Sequence, residues 1–421
     1  MRLLRSMLIV TLLLRGFVCA EENPFKLRTT VRDTEPFRYV DFSPDDTWVY
    51  TVAHANGSYS IKLYDLETAK PVAMFSDRDP RFLRLQFTPS ETYIRLQFGV
   101  RTDYGDIHRR EELWRVSPKE RLIDPAIKPE RLLLYMFSPK DRFAVTDKTT
   151  ELPQRLVKLP TFDVVVKLDK FGDRIEAESF SGDEKWLVVR TGKVVNGFVI
   201  NDQSELVLVS TESGEAVRKI GTPGLNRYAK FSIDSRLLLY FDFDAGTAEL
   251  SEVDSGKKLR EFKTYYNTFF TPDGNYLVTM KRGAGNVDGE ISRWPLNSNE
   301  PPQVCTIPKI WGIDSFAGDH LLLNDPLGAM DMKTGKQLWF AAGKRDGHWS
   351  SDGQFATQSY GASPILNAWT GPIVFAFDPL PAETYRDVQF AKRHRDFATF
   401  LWREIDRQNT EATEFQLWRW R

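Results

Sequence analysis

Short runs of alternating apolar and polar residues recur along the whole chain and predict β-strands throughout. Each run ends in an aromatic residue and is followed by a polar turn, as in Phe42-Ser43-Pro44-Asp45-Asp46 and Phe270-Thr271-Pro272-Asp273-Gly274. A second alternating run follows the turn, for example Trp48–Val52. Alternation with a period of two places successive side chains on opposite faces, which is typical of strands. The pattern therefore predicts an all-β protein.

The aromatic residue before each turn marks a repeated unit. Nine such positions are present: Phe42, Phe87, Phe137, Phe180, Phe231, Phe270, Phe316, Trp349 and Phe390. They lie 33 to 51 residues apart, which matches the length of a four-stranded propeller blade. Closed propellers usually have about four to eight blades. We therefore expect eight or nine blades, and an irregular unit near Phe316 or Trp349 if there are eight.

The turns carry the residues that tight turns need. Proline sets φ at the first central position, serine or aspartate bonds the neighbouring backbone, and glycine tolerates the exit geometry. A third strand then follows, as at Ile61–Leu66, with a short fourth strand such as Pro71–Phe75. Two segments depart from this pattern and are interpreted as partly helical or irregular: Pro118–Arg131 and Trp402–Glu414.

The two ends of the chain predict how the ring closes. The last unit stops at Arg421, within its third strand, and so lacks an outer strand. A strand edge without a partner exposes unpaired backbone groups. Phe25–Val31 alternates like a strand and precedes the first unit. We expect Phe25–Val31 to pair with Phe415–Trp420 and to close the ring.

The repeats resemble WD40-type units, in the looser form of WD40-like and YVTN-type bacterial propellers, over nearly the whole chain after residue 20. The resemblance implies one closed β-propeller domain of four-stranded blades, residues 21–421, that acts as an interaction platform. The family's Gly-His pair is missing, because Gly347-His348 lies too close to its turn, and Tyr64-Asp65 only echoes the Trp-Asp dipeptide. The family's hydrogen-bond tetrad is therefore not supported, and we expect packing to hold the blades together.

Residues 1–20 have the three regions of a secretory signal peptide. Arg2 and Arg5 precede an apolar run, Met7–Leu14, and Val18-Cys19-Ala20 precedes two glutamates. We expect cleavage after Ala20 and export to the periplasm or the cell exterior, with no transmembrane segment left. Retention as a membrane anchor is the alternative, but a spanning helix needs about 20 apolar residues. Lipoprotein processing at Cys19 fits less well, because the residues before it are not small.

Composition and motifs argue against several classes of site. The formal charge is −1, and about −4 once the three arginines of the leader are removed, so nothing indicates nucleic-acid binding. Cys305 is the only cysteine after residue 20, so an internal disulfide is excluded and we expect a buried apolar side chain. The five histidines are not spaced as metal ligands. Asp242–Gly246 starts like a calcium loop but lacks the distal glutamate, which favours a plain polar loop.

The motifs of two enzyme classes are incomplete in the chain. A hydrolase would need a nucleophile elbow, and Gly361-Ala362-Ser363-Pro364-Ile365 fails at its last position. Ala329–Phe340 resembles one tryptophan-docking repeat of quinoprotein propellers, but its tryptophan does not recur in the other units. We expect no cofactor and no metal. The sequence does not decide whether the protein is an enzyme, and the missing motifs favour a non-enzymatic role.

Variable connections are predicted to gather on one face of the propeller. Turns between first and second strands, and between third and fourth strands, are short, so length variation collects on the opposite face, as in Gly99–Glu111, Thr191–Ser204 and Arg403–Glu414. Function often lies on variable loops held by a rigid scaffold. The polar residues of these loops form the candidate binding face: Asp103, Tyr104, His108, Arg109, Arg110, Asn201, Asp202, Lys281, Arg282, Asn286, Asp288, Tyr360 and Arg403.

The function predicted from the sequence is that of a monomeric, exported scaffold. It would present the candidate binding face to another protein or to an envelope polymer. The alternative is a propeller enzyme, a quinoprotein-like dehydrogenase, hydrolase or lyase, with carboxylates near the central channel. Because recurrent tryptophans, histidine clusters and a nucleophile elbow are missing from the sequence, the scaffold is favoured.

Overall fold

A computed structural model shows that the chain is all-β, with one short 3-10 helix, Leu168–Phe171, in the ranges that it describes. The described residues are 25–44, 46–55, 58–78, 82–90, 92–101, 107–115, 120–122, 134–146, 153–195, 198–224, 227–263, 267–271, 273–281, 289–298, 300–307, 312–317, 320–325, 327–332, 334, 336–340, 347–350, 355–358, 365–367, 373–375, 384–390, 396–406 and 409–420. In these ranges no helix is long and apolar enough to span a membrane.

The strands follow one another with short connections. The first eighteen are β1 (Phe25–Phe42), β2 (Trp48–Ala55), β3 (Ser58–Asp65), β4 (Pro71–Arg78), β5 (Phe82–Phe87), β6 (Tyr93–Arg101), β7 (Ile107–Arg115), β8 (Glu120–Leu122), β9 (Leu134–Phe137), β10 (Phe143–Thr146), β11 (Arg155–Lys158), β12 (Val164–Lys167), β13 (Arg174–Phe180), β14 (Trp186–Val195), β15 (Phe198–Ser210), β16 (Ala216–Ile220), β17 (Arg227–Phe231) and β18 (Leu237–Asp242). The others are β19 (Thr247–Glu252), β20 (Lys258–Lys263), β21 (Asn267–Phe270), β22 (Tyr276–Lys281), β23 (Gly289–Pro295), β24 (Gln303–Ile307), β25 (Gly312–Ala317), β26 (His320–Asp325), β27 (Leu327–Asp331), β28 (Lys336–Phe340), β29 (Gly347–Trp349), β30 (Phe355–Gln358), β31 (Ile365–Asn367), β32 (Ile373–Phe375), β33 (Thr384–Phe390), β34 (Asp396–Asp406) and β35 (Asn409–Trp420).

The described strands form seven four-stranded sheets and one seven-stranded sheet. Each four-stranded sheet is an antiparallel meander of strands that are consecutive in the sequence. The seven-stranded sheet has the order β33-β34-β35-β1-β2-β3-β4, so it consists of two meanders that share β1. We number the units in chain order: unit 1 is the second half of β1 with β2–β4, units 2 to 8 are the four-stranded sheets, and unit 9 is β33–β35 with the first half of β1.

Strand β1 joins the two ends of the chain. Its first half pairs with β35, from Phe25 opposite Trp420 to Val31 opposite Phe415. Its second half pairs with β2, where Phe42 lies opposite Val49. The predicted pairing of Phe25–Val31 with Phe415–Trp420 is therefore confirmed. The N-terminal segment supplies the fourth strand that unit 9 needs.

Buried side chains fill the space between each unit and the next. Phe75 of unit 1 packs edge-on against Trp114 of unit 2, with ring centroids 5.4 Å apart. Similar clusters lie between all later neighbours in the described ranges. A further cluster joins unit 9 to unit 1. In it the ring of Phe415 packs against those of Phe37 and Tyr64, with centroids 6.0 and 5.6 Å apart. The shared strand β1 is therefore packed on both of its halves. Burial of each such side chain is worth roughly 1.5–3 kcal/mol.

The repeated turns have a common hydrogen-bond pattern that explains their sequence. The serine after the aromatic residue is buried, and its hydroxyl accepts a hydrogen bond from the first amide of the second strand. Trp48 N lies 3.0 Å from Ser43 Oγ, and Trp186 N lies 3.0 Å from Ser181 Oγ. The fourth turn residue has a positive φ, 63° at Glu184 for example, and in unit 6 this position is taken by Gly274.

The same turns also connect neighbouring units through polar contacts. Glu184 of unit 4 accepts hydrogen bonds from the hydroxyl of Ser138 and from the amide of Lys140 in unit 3, the latter at 2.6 Å. Asp141 of unit 3 accepts a hydrogen bond of 2.6 Å from Ser90 Oγ of unit 2. The sequence predicts blades held by packing, and the structure adds these hydrogen bonds between turns.

Two predictions about irregular segments need correction. Trp402–Glu414 is not helical where described: β34 and β35 pair to Asp406 opposite Asn409, with register shifts between Phe400 and Arg403 and between Glu404 and Asp406. Likewise, much of Thr191–Ser204 belongs to β14 and β15. Antiparallel pairing continues into these segments because it satisfies their backbone groups, whatever the polarity of the side chains. Within Pro118–Arg131, Glu120–Leu122 is strand β8, and the rest lies outside the described residues.

Candidate functional site

The predicted binding face lies on hairpins between second and third strands. His108, Arg109 and Arg110 belong to β7, and Asn201 and Asp202 belong to β15. Lys281 ends β22, and Arg403 lies in β34 opposite Glu411. These residues are therefore on strands, where the sequence predicts loops. The remaining six candidates lie outside the described residues: Asp103, Tyr104, Arg282, Asn286, Asp288 and Tyr360.

First strands of several neighbouring units contact each other. Strand β13 contacts β17, β29 contacts β33, and β33 contacts β1. Between units 4 and 5, Ser179 Oγ donates a hydrogen bond of 3.3 Å to the carbonyl of Ala229. Side chains on these strands alternate, so that Ala229 is buried whereas Tyr228 and Lys230 are exposed. We call the exposed side of the first strands the inner wall.

Exposed tyrosines are a feature of the inner wall. Tyr39 in unit 1, Tyr135 in unit 3 and Tyr228 in unit 5 are 41%, 41% and 40% exposed. The hydroxyl of Tyr39 donates a hydrogen bond of 2.9 Å to Asp41 Oδ2 on the same strand. Aromatic rings exposed beside polar groups suit ligand binding, because they offer apolar area at low cost in conformational entropy.

An ion-paired cluster lies on the inner wall between units 4 and 5. Arg190 of β14 pairs with Glu178 Oε1 at 2.7 Å, and its guanidinium stacks over the ring of Tyr228, 4.4 Å from the centroid. Arg190 also donates a hydrogen bond of 2.6 Å to the carbonyl of Arg227. Burial raises the pKa of Glu178 to about 7, because Arg190 offsets it only in part and Glu176 adds repulsion.

A second group of charges lies next to this cluster. Arg227 pairs with Asp242 Oδ1 at 2.8 Å and with Asp244 Oδ2 at 2.7 Å. Asp242 Oδ1 also accepts a hydrogen bond of 2.8 Å from the amide of Ala245. The segment that starts like a calcium loop is therefore a polar turn whose carboxylates bind an arginine. Within the described ranges, no group of acidic, histidine and cysteine residues is arranged to hold a metal ion.

Lys230 lies on the inner wall between two aromatic rings. Its amine is 5.2 Å from the ring centroid of Phe269 in unit 6 and 6.0 Å from that of Phe241. Among the described residues Lys230 makes no ion pair or hydrogen bond through its side chain. The surrounding protein removes part of the water from the amine, although the residue as a whole is exposed, and this partial desolvation lowers the pKa of Lys230.

Sequence reasoning missed Glu178, Arg190 and Lys230. A weak signal for Lys230 was present, because it immediately precedes the aromatic residue that ends a first strand and therefore belongs to the inner wall. Glu178 had no such signal, since a register shift between Ala177 and Ser179 changes the alternation there. Its partner Arg190 comes from the next strand.

Two residues singled out in the sequence are core residues. Trp339, in the string that resembles a tryptophan-docking repeat, is buried against Trp349 of the next unit, with ring centroids 5.9 Å apart. Cys305 is buried between units 6 and 7, as expected for an apolar side chain, and burial raises the pKa of its thiol. Both positions are explained by packing between units.

The meandering four-stranded units, the cores between them and the shared strand β1 define the architecture. The fold is that of a WD40-like β-propeller. No family model and no curated protein matches the chain. Among solved structures it is similar to the dihydro-heme d1 dehydrogenase NirN in complex with DHE, at 16% identity, 82% coverage of this chain, 77% of that chain and a TM-score of 0.47. It is also similar to the C-terminal WD40 domain of Sif2, at 12% identity, 94% coverage of this chain, 98% of that chain and a TM-score of 0.44.

Proposed function

We propose that the protein is an exported, non-enzymatic β-propeller that binds another protein through the hairpins between its second and third strands. The observation that carries this proposal is a two-stranded ribbon in unit 4. Strands β14 and β15 pair as far as Val195 opposite Phe198. The flanking strands stop earlier, since β13 pairs no further than Gly192 and β16 no further than Leu206. The unit 4 ribbon, Lys193–Val195 with Phe198–Ile200, therefore extends beyond its own sheet.

Extension beyond the sheet is a property of particular units. In unit 9, β34 and β35 pair to Asp406 opposite Asn409, whereas the pairing of β34 with β33 ends at Arg403 opposite Thr384. In unit 5, by contrast, the hairpin pairs no further than Asp242, where β17 also ends. Packing between units does not need the longer hairpins. Variable segments that a rigid scaffold positions are where binding commonly evolves.

The composition of the unit 4 ribbon supports a protein partner. Its two strands read Lys-Val-Val and Phe-Val-Ile, so apolar residues occupy all but one of the positions. A two-stranded ribbon is only marginally stable alone in water, and apolar residues gain stability when a partner removes them from water. An apolar surface on the partner would stabilise it. An envelope polymer, which offers mainly polar groups, fits this ribbon less well.

A photo-crosslinking residue placed at Val195 tests this function in the native cells. The control position is Ile233, which is 60% exposed in the turn between the first and second strands of unit 5, on the opposite face. We expect a crosslinked protein from the Val195 position that is absent from the Ile233 position. Crosslinks to protein from Ile233 only, or to polysaccharide only, would refute the proposal.

A second candidate function is an enzyme with its site on the inner wall. The observation that favours it is Glu178, whose pKa of about 7 suits a general acid or base at neutral pH. Glu178 forms an ion pair with Arg190, and such pairs are equally typical of carboxylates with a purely structural role. We therefore retain the non-enzymatic scaffold as the proposed function. Conversion of an envelope substrate by the wild type but not by Glu178→Gln would favour the enzyme.

A further inference from the structure

On the inner wall between units 4 and 6, Lys230 is a cation that makes no ion pair with any described acid. Arg190 is paired with Glu178, and Arg227 is paired with Asp242 and Asp244. Lys230, on the same strand as Arg227, has no carboxylate partner in the described ranges. Its amine lies over the rings of Phe241 and Phe269.

Aromatic rings stabilise an ammonium only in part. The ring faces attract the cation, but they do not replace the hydrogen bonds that water or a carboxylate would supply. Lys230 keeps three N–H donors, and its amine reaches the inner wall, where solvent or a ligand can contact it. A single negative group bound at this point would provide both a counter-charge and hydrogen-bond acceptors.

The surroundings of Lys230 also indicate what such a ligand looks like. Tyr228, two residues earlier on the same side of β17, lies roughly 7 Å along the strand and is exposed. Phe269 is half-buried on the first strand of unit 6 and offers another ring beside the amine. A ligand that reaches Lys230 along the inner wall therefore meets aromatic surface next to one positive charge.

We propose that Lys230 binds the carboxylate of a ligand whose ring lies against the aromatic side chains of Tyr228 and Phe269. One unbalanced lysine matches a monovalent carboxylate better than a divalent phosphate, since the neighbouring arginines are already paired. Two sources share this chemistry: an aromatic carboxylic acid and a uronic acid from an acidic polysaccharide. This site is separate from the unit 4 ribbon and does not depend on the protein partner proposed above.

Ligand-observed NMR on the full mature chain tests the site with three probes: benzoate, galacturonate and inorganic phosphate. We expect millimolar binding of benzoate or galacturonate by the wild type. Lys230→Gln is expected to weaken that binding by about tenfold or more, because a charge-assisted hydrogen bond is lost. Lys230→Arg keeps the charge and is expected to retain most of the binding. Lys219→Gln is the matched control, because Lys219 is an exposed lysine on the outer strand of unit 4.

The outcomes separate the alternatives. Binding of benzoate alone identifies an aromatic acid as the ligand class, and binding of galacturonate alone identifies an acidic saccharide. The proposal is overturned if neither carboxylate binds the wild type, if phosphate binds more tightly than both, or if Lys230→Gln binds as the wild type does. Thermal unfolding of Lys230→Gln verifies that the variant is folded, and we expect an unchanged or higher Tm because an unbalanced charge has been removed.

Discussion

Glu184 of unit 4 accepts a hydrogen bond from the hydroxyl of Ser138, in the turn of unit 3. The carboxylate also pairs with Arg142 and is fully buried. Burial acts to raise the pKa of Glu184, but the hydrogen bonds from Ser138 and Arg142 outweigh it, and the pKa lies below its usual range. Glu184 therefore connects two propeller units in its ionised form.

Replacing Glu184 by Gln is expected to lower the free energy of unfolding by about 2–3 kcal/mol at pH 7, because buried donors lose a charged acceptor. Since the folded state lowers the pKa, this stabilisation is complete above the ordinary glutamate pKa of about 4.3 and is lost as pH falls through the folded value. The difference between the two proteins should therefore shrink in acid. Urea unfolding at pH 7 and at about pH 3, below the ordinary glutamate pKa, measures it.

The control for Glu184 is Glu215→Gln. Glu215 forms an exposed ion pair of 3.3 Å with Lys170, and loss of such a pair costs less than about 0.5 kcal/mol. Equal effects of the two substitutions would contradict the role assigned to Glu184.

Phe25 is expected to be essential for the junction between the chain ends. Its side chain is 4% exposed and packs edge-on against Phe355 and Phe397, with ring centroids 5.2 and 5.5 Å away. Phe25→Ala should lower the free energy of unfolding by about 3–5 kcal/mol through the cavity that it leaves. Leu27→Ala, on the same strand but 42% exposed, should cost less than about 1 kcal/mol. Differential scanning calorimetry compares the two.

Deletion of residues 21–34 removes the same strand altogether. A melting temperature equal to that of the mature chain would show that the pairing of β1 with β35 contributes nothing to stability. A large loss from Leu27→Ala would instead mean that the strand is sensitive to any truncation, and the argument from Phe25 would fail.

Glu178 should make stability depend on pH in the opposite direction from Glu184. Its folded pKa is about 7, above the ordinary value, so the folded state favours the protonated carboxyl. The wild type should therefore lose stability relative to Glu178→Gln as pH rises from about 4.3 towards 7. Urea unfolding at pH 5 and pH 8 tests the sign. A difference that does not change with pH, or changes in the opposite direction, would contradict the burial assigned to this carboxyl.

Cys305 provides a test of both burial and processing of the leader. Its side chain is 6% exposed, and burial raises the pKa of the thiol, so a thiol reagent should not react with the folded protein. After denaturation, protein from the envelope fraction should show one thiol per chain if the leader has been cleaved, because Cys19 leaves with it. Two thiols would mean that the leader is retained, and rapid reaction of the folded protein would contradict the burial.

Features governed by local chemistry were predictable from the sequence. The Ser-Pro-Asp turns, the alternating strands and the repeat length all follow from residues close together in the chain. The pairing of Phe25–Val31 with Phe415–Trp420 was also predictable, because an incomplete last unit needs one more strand. The candidate residues on the hairpins were located by the same reasoning, but their strand conformation was not predicted, since pairing satisfies the backbone irrespective of side-chain polarity.

The sequence by itself determined the all-β class, the unit length and the strand that joins the two ends. Only the tertiary structure decided which side chains meet between units. Arg190 and Arg227 are 37 residues apart in the chain, yet the first carries a hydrogen bond to the second's carbonyl and an ion pair to Glu178. Such contacts depend on the register of each sheet and on the packing of one unit against the next. The local sequence pattern predicts neither the register of a sheet nor the packing between units. The candidate site at Lys230 could therefore be recognised only from the tertiary structure.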